Sequence, residues 1–266
     1  MTETVAVDRG GFTLNAVVSG QGPGAPVVVL SNSLGATTGM WAPQRAWLEA
    51  THRVIGYDTR GHGASGTPPG PYSFEDLVAD ALAVMDRCEV ERATFLGLSL
   101  GGMTALGLGL SAPERLTGLV SCAARADAPP PFVQSWDDRI AAIASGGLEA
   151  IWPGTLDRWL TEPYRAAHPD IVAALEADFL RTTPEGYGGC AAALQSLDYL
   201  RRLGNLTMPV LYVAGAEDMG APPAAMEAMA AATPGADYIC IPDAAHIVNL
   251  NGGAAFDAAL AQFLKD

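Results

Sequence analysis

The stretch Gly97-Leu98-Ser99-Leu100-Gly101 has the pattern G-x-S-x-G and guides the interpretation of the whole sequence. It follows a short apolar run at 94–98, typical of a buried strand, and opens a helical stretch that continues to about residue 111. A serine in this context sits on a sharp strand-to-helix turn, which lifts its hydroxyl above the edge of a sheet. We therefore predict that Ser99 is a nucleophile.

The alternative for Ser99 is an ordinary turn in which the serine only caps the following helix. The bare pattern occurs often by chance, especially in a chain with 30 glycines among 266 residues. The strand before it and the helix after it favour the nucleophile, because that context is what the chemistry requires.

Apolar runs alternate with helical patterns along most of the chain. The run at 27–30, Val-Val-Val-Leu, is typical of a strand covered on both faces, and Ser73 precedes a helix with Glu75 and Asp76 near its positive end. Further strands are predicted at 12–19, 53–57, 116–122, 210–214 and 238–241, and further helices at 224–232 and 254–264. The alternation predicts an α/β fold, a mostly parallel sheet with helices on both faces.

The segment 129–205 breaks this alternation. It shows no strand pattern, and helical patterns occur at 132–144, 170–181 and 184–197. We predict a core formed by 1–128 and 206–266, with 129–205 inserted as a helical lid. A plain second helical domain is the alternative.

Composition and charge exclude several classes of function. Apolar residues make up 49% of the chain, and its net charge is −14, so a globular protein that repels nucleic acid and anionic membranes is expected. No apolar run is long enough for a membrane span, and no signal peptide is visible. Four cysteines without a CxxC pair favour buried thiols in a cytoplasmic protein over disulfides or a metal site.

A serine nucleophile needs a base, and His246 is the predicted one. It follows the apolar run 238–241, at the carboxyl edge of the sheet where open α/β folds place active groups. Among the other histidines, His52 precedes a strand, His62 lies in a Gly-rich turn, and His168 lies in the predicted lid. A packed or solvated loop residue is the alternative for His246.

The acid that orients the base is expected between serine and histidine in chain order. The strand at 210–214 is followed by Gly215-Ala216-Glu217-Asp218, again at the carboxyl edge. Asp218 is the predicted acid, with Glu217 as the second choice and a solvated acidic turn as the alternative. Its charge would hold the imidazole in the required tautomer.

An oxyanion hole is expected to combine two backbone N–H groups. One is that of Leu100, directly after the nucleophile, and the other comes from the loop after the strand at 27–30. That loop reads Ser31-Asn32-Ser33-Leu34-Gly35, and Leu34 is the predicted second donor.

Taken together, these motifs resemble those of the α/β-hydrolases, and more specifically the 3-oxoadipate enol-lactonases of the aromatic β-ketoadipate pathway. The resemblance covers nearly the whole chain, and the stretches that carry it are 31–35, 57–65, 97–103, 164–169 and 184–187. The chain departs from the family pattern at Met219 and in lacking a Glu-Gln-Pro type of segment after His246. These departures lie outside the proposed triad and leave room for a different lactone or ester substrate.

The resemblance implies an α/β-hydrolase fold and a serine hydrolase that opens 3-oxoadipate enol-lactone through an acyl-enzyme, with no metal or organic cofactor. A substrate carboxylate would need a local anchor in so acidic a chain. Candidates in the lid are Arg139, Arg158 and Arg165, with Trp136, Trp152 and Trp159 as pocket walls; of these, Trp136, Arg139 and Trp159 are the predicted substrate-binding set. The alternative for each of these residues is that it binds no substrate and only packs within the lid or lies on its solvent-exposed surface.

Three other functions stay open. The same triad could serve another lactonase or a carboxylesterase, and related folds also act as ligand receptors or in cofactor-free peroxidation. The expected partner is a small lactone or ester, with neither nucleic acid nor membrane, and the protein is expected to be a monomer or small homo-oligomer.

Overall fold

A single sheet organises the computed structural model, which describes residues 2–265. Its eight strands lie in the order β1-β2-β4-β3-β5-β6-β7-β8; β2 pairs antiparallel with both β1 and β4, and all pairs from β4 to β8 are parallel. The strands are β1 (Glu3–Asp8), β2 (Thr13–Gly20), β3 (Val27–Ser31), β4 (Arg53–Tyr57), β5 (Ala93–Leu98), β6 (Leu116–Cys122), β7 (Val210–Gly215) and β8 (Asp237–Ile241). The predicted mostly parallel sheet is confirmed, while β1 has no counterpart in the sequence prediction.

Helices α1 to α9 occupy the connections between the parallel strands, and α10 and α11 follow the last strand. They are α1 (Ala42–Leu48), α2 (Phe74–Arg87), α3 (Leu100–Ser111), α4 (Pro130–Gly146), α5 (Trp152–Trp159), α6 (Glu162–Ala167), α7 (Pro169–Leu180), α8 (Pro184–Gln195), α9 (Pro223–Ala232), α10 (Val248–Asn251) and α11 (Gly253–Phe263). None of the helices within residues 2–265 is long and apolar enough to cross a membrane.

The strand order explains why both faces of the sheet are covered. In the sheet, β4 lies on one side of β3, whereas β5 and the later strands β6 to β8 lie on the other side. Because crossovers between parallel strands are right-handed, α1 lies on one face and α2 and α3 lie on the opposite face. A hydrogen bond of 2.8 Å from Gln44 Nε2 on α1 to Asp257 Oδ1 on α11 joins the two helices of the first face.

The reversal of direction occurs between β3 and β5, which are direct neighbours with Ser31 opposite Gly97. In an open parallel sheet, a crevice forms at this point, outside the carboxyl ends of the strands. The loop after β3 and the turn after β5 both emerge there. The fold therefore places Leu34 and Ser99 on the two sides of one crevice.

The helices α4 to α8 form an insert between β6 and β7. The chain leaves and re-enters the core at one point, because Asp127 pairs with Asp198 in an isolated antiparallel bridge. Aromatic rings pack inside the insert: Trp159 and Phe179 meet edge to face at 5.7 Å between ring centroids, and Phe179 meets Tyr187 at 6.0 Å.

Candidate active site

Ser99 occupies a strained turn between β5 and α3. Its backbone has φ of 56°, a left-handed conformation that non-glycine residues seldom adopt and that is concentrated at functional sites. The two flanking glycines leave no space for a side chain: a Cβ on Gly97 would lie 2.1 Å from the Gly101 carbonyl oxygen, and one on Gly101 would lie 2.3 Å from that of Ser31. The G-x-S-x-G spacing is thus a steric requirement of this turn.

Asp218 and His246 lie in the loops after β7 and β8 and are hydrogen-bonded to each other. The His246 Nδ1–H donates to Asp218 Oδ2 at 2.8 Å, and the aspartate side chain is fully buried. Its other oxygen accepts the backbone N–H groups of Gly220 at 2.8 Å and Ala221 at 3.0 Å. Because Nδ1 is engaged by the carboxylate, the remaining ring nitrogen, Nε2, is left for a reacting group. Glu217, the second choice from the sequence, is exposed to solvent.

Ser99 and His246 line the same cavity of about 320 Å³. Within residues 2–265 no hydrogen bond joins the Ser99 hydroxyl to the His246 ring, yet both side chains border one space. Met219, which departs from the family pattern, also lines this cavity, and its side chain is otherwise exposed.

Of the two predicted oxyanion donors, Leu100 directly follows Ser99 and Leu34 lines the same cavity. Leu100 is the first residue of α3, where a backbone N–H has no partner within the helix. Leu34 lines the cavity and belongs to a tight turn closed by the Ala36 N–H, which donates to the Ser33 carbonyl at 3.1 Å. In the part of the chain that the structure describes, neither the Leu34 nor the Leu100 N–H donates to a protein acceptor.

The predicted substrate-binding residues of the insert all line this cavity: Trp136, Arg139 and Trp159. Two of the further candidates lie elsewhere, since Trp152 packs behind Trp159 and Arg165 forms an ion pair with Asp157. The sequence analysis did not single out Arg125, a lining residue that pairs with Asp127 at 3.2 Å.

Arg139 and Arg158 place positive charge against the cavity without a carboxylate partner among residues 2–265. The Arg139 guanidinium lies over the Trp136 ring at 4.2 Å, and Arg158 Nη2 donates to Thr155 Oγ1 at 3.2 Å. Burial, together with the nearby charge of Arg139, lowers the pKa of Arg158 to about 10. Two cationic groups that repel each other in a half-buried site are suited to bind an anion between them.

No group of three or more His, Cys, Asp or Glu side chains within residues 2–265 is arranged to hold a metal ion. The chemistry that this cavity supports on its own residues is nucleophilic attack by a hydroxyl, assisted by an oriented imidazole.

Comparison with known proteins identifies the family of the chain. A model of the alpha/beta hydrolase fold family matches residues 26–253. The 3-oxoadipate enol-lactonases 2 and 1 of Acinetobacter baylyi are 38% and 33% identical to this chain, over 77% and 79% of its length and 76% and 78% of theirs. The crystal structure of the enol-lactonase from Burkholderia xenovorans LB400 superimposes with a TM-score of 0.94 at 36% identity, covering 99% of this chain and 100% of that one. The resemblance inferred from the motifs is confirmed, and the chain belongs to the alpha/beta hydrolase fold family.

Proposed function

We propose that this protein is a serine hydrolase that opens the ring of 3-oxoadipate enol-lactone to give 3-oxoadipate. One observation carries the proposal: His246, bonded to the buried Asp218, borders the same cavity as the strained Ser99, and so do two arginines that form no ion pair within residues 2–265. The similarity to enol-lactonases supports the choice of a lactone over other esters.

In the first half of the reaction, the Ser99 hydroxyl attacks the ring carbonyl while His246 Nε2 accepts its proton. The carbonyl oxygen becomes an oxyanion, which the N–H groups of Leu34 and Leu100 stabilise. Collapse of this intermediate breaks the ring C–O bond and expels an enol oxygen, whose charge is delocalised. The protonated His246 returns its proton to this enolate, which becomes the ketone; formation of the ketone helps to make the step irreversible and leaves the imidazole neutral for the second half.

In the second half, His246 activates a water molecule that attacks the acyl group on Ser99. The same two N–H groups stabilise the second oxyanion, and the serine takes back a proton as the acid is released. Asp218 holds the imidazole in one tautomer throughout and stabilises its charged form.

Arg139 and Arg158 are the proposed anchor for the free carboxylate of the substrate. Charge-assisted hydrogen bonds to a guanidinium are stronger than neutral ones, and here no protein carboxylate competes within the described residues. The anchor lies on α4 and α5, so the insert of 129–205 acts as a lid that carries substrate contacts while the core carries the triad.

The decisive experiment is hydrolysis of 3-oxoadipate enol-lactone by the wild type and by Ser99→Ala. We expect the variant to lose at least about 10³-fold in kcat, because it removes the hydroxyl that would form the acyl-enzyme. Ser145→Ala, at an exposed serine on α4, is the control and should retain full activity. Turnover by a folded Ser99→Ala variant would contradict the proposal.

Two rival functions are separated by the same purified protein. A carboxylesterase for neutral substrates would show a higher kcat/KM for p-nitrophenyl esters than for the enol-lactone. A ligand receptor would show slow, single-turnover behaviour with its ligand retained.

A further inference from the structure

The turn that carries the Leu34 N–H is held by few contacts. Gly35, its third residue, has φ of 82°, so the turn needs a conformation that favours glycine. Besides the closing bond from the Ala36 N–H to the Ser33 carbonyl, two backbone N–H groups of the turn have acceptors among the described residues: that of Ser33 donates to the thioether sulfur of Met40 at 3.4 Å, and that of Gly35 donates to a side chain of another loop at 2.9 Å. Because a thioether is a weak acceptor, the bond made by the Gly35 N–H is the stronger of these two attachments and contributes most to the orientation of the turn.

The acceptor is a side chain from another loop. The Gly35 N–H donates to His62 Nε2 at 2.9 Å, and both residues are buried. His62 follows β4, the neighbour of β3, which places its ring under the turn. On another side of Gly35 lies the ring of Phe179, so close that a Cβ on Gly35 would lie 2.5 Å from it. Because a phenyl ring offers no comparable acceptor, the imidazole alone satisfies this N–H.

The bond requires one state of the histidine. A backbone N–H can only donate, so Nε2 must carry no proton, and the proton on Nδ1 is donated to the Arg60 carbonyl at 3.0 Å. Burial lowers the pKa of His62, opposed by that backbone bond and by the charge of Asp58. The ring is thus neutral near pH 7, with both nitrogens used.

The neighbours of His62 fix this arrangement further. Arg60 is held by a buried ion pair with Asp80, at 2.6 Å between Nε and Oδ2. Asp58, the charged group that faces the ring, is itself engaged by the backbone N–H groups of Thr38 at 3.0 Å and Ala64 at 3.1 Å.

We propose that His62 is a positioning residue for catalysis: its neutral ring, bonded to Gly35, holds the turn that presents the Leu34 N–H to the oxyanion formed on Ser99. This inference rests on the proposed function only in that Ser99 forms such an oxyanion, whichever ester or lactone is the natural substrate. The residue touches neither substrate nor nucleophile and acts through the backbone of the turn.

Two conservative variants separate the two bonds of the ring. In His62→Asn the amide nitrogen takes the position of Nδ1 and keeps the bond to Arg60, but the side chain is too short to reach Gly35. In His62→Gln the amide oxygen takes the position of Nε2 and keeps the bond to Gly35, at the expense of the bond to Arg60. A role in folding alone would make the two variants equally defective.

The assay measures kcat and KM per active site, titrated to completion with a fluorophosphonate, for both the enol-lactone and p-nitrophenyl acetate. We expect His62→Asn to lose about 10- to 100-fold in kcat with KM within about twofold, since loss of one oxyanion donor costs on this order or more. His62→Gln should stay within about threefold of the wild type. The Ki of a boronic acid that forms a tetrahedral adduct on Ser99 should rise in His62→Asn by the factor that kcat falls.

His52→Asn is the control, because this histidine lies away from the cavity and bonds to Thr51. The inference is overturned if the Asn and Gln variants are equally active or equally impaired per titrated site, or if KM changes in place of kcat. A wild type that hydrolyses only p-nitrophenyl acetate contradicts the proposed substrate and leaves the His62 test intact. A wild type that hydrolyses neither contradicts both proposals.

Discussion

At the scale of single residues, the positive charge of two arginines without an ion pair within residues 2–265 favours an anion as the ligand of the cavity. Arg125 has its carboxylate partner in Asp127, whereas Arg139 and Arg158 face the cavity without one within residues 2–265. A half-buried cation without a partner is costly, so two such cations beside Ser99, the proposed nucleophile, support the proposal of an anionic substrate.

The corresponding prediction concerns Arg139→Met and Arg158→Met. Each should raise KM for the enol-lactone about 10-fold or more, because a charge-assisted hydrogen bond contributes about 1.5–3 kcal/mol. The kcat/KM for neutral p-nitrophenyl acetate should change by less than about threefold. Steady-state kinetics with both substrates measures the difference.

Arg165→Met is the matched control for this pair. Its guanidinium lies in the same insert but is paired with Asp157, outside the cavity lining. An equal loss on both substrates in Arg139→Met and Arg158→Met would show that the arginines only support the structure of the lid.

The sequence predicted some site residues better than others for a physical reason. Ser99, Asp218 and His246 each follow a strand of a parallel sheet, so strand order alone brings them to one edge. Arg139 lies on the 17-residue helix α4 and Arg158 on the 8-residue helix α5 of the insert, and the rotation of these helices toward the cavity depends on tertiary packing that periodicity does not encode. The role of His62 depends on a backbone N–H from another loop, which no motif in its own turn specifies.

At the scale of elements, the extent of burial determined which strands and helices could be predicted from the sequence. Strands β3 and β5 are covered on both faces and read as continuous apolar runs. The edge strand β1 buries only Val5 and Val7, too little for a strand signal. Helices α1, α5 and α6 span 7, 8 and 6 residues, too short to show a periodic apolar face.

Helix α8 offers a test of how closely the insert packs on the core. A Cβ on Gly186 would lie 2.5 Å from Gly61 Cα, whereas one on Gly188 would meet nothing within 4 Å. We expect Gly186→Ala to lower the free energy of unfolding by about 1–3 kcal/mol through overpacking. Gly188→Ala should raise it by about 0.5–1 kcal/mol, since alanine loses less entropy than glycine in a helix.

Urea titration of the two variants and the wild type gives these free energies. The pair shares one helix and one substitution, so helix propensity cancels in the comparison. Equal stabilisation of both variants would show that α8 does not press on the loop that holds Gly61.

At the scale of the whole molecule, the net charge of −14 opposes the approach of an anionic substrate. Salt screens this repulsion beyond a Debye length of about 10 Å at 0.1 M, while the arginine pair acts within the cavity at shorter range. Long-range repulsion and local attraction therefore respond to salt differently.

We expect kcat/KM for the enol-lactone to rise about two- to fivefold between about 10 mM and 200 mM salt, as the long-range repulsion is screened. For neutral p-nitrophenyl acetate it should stay nearly constant. Measuring both at fixed pH separates a charge effect from a general effect of salt on the enzyme. A fall of kcat/KM with salt for the lactone would mean that local attraction governs its approach.

The contact between Gly61 and Gly186 also limits how such enzymes can be recombined. The Thr183 N–H donates to the Gly61 carbonyl at 3.1 Å, and the ring of Phe179 lies against Gly35. The surfaces of insert and core are therefore complementary in shape at these two places. A chimaera that takes residues 129–205 from a relative would have to supply a glycine and an aromatic ring at these places. Under the proposed function, substrate preference is exchangeable between relatives only when the insert and these loops are exchanged together.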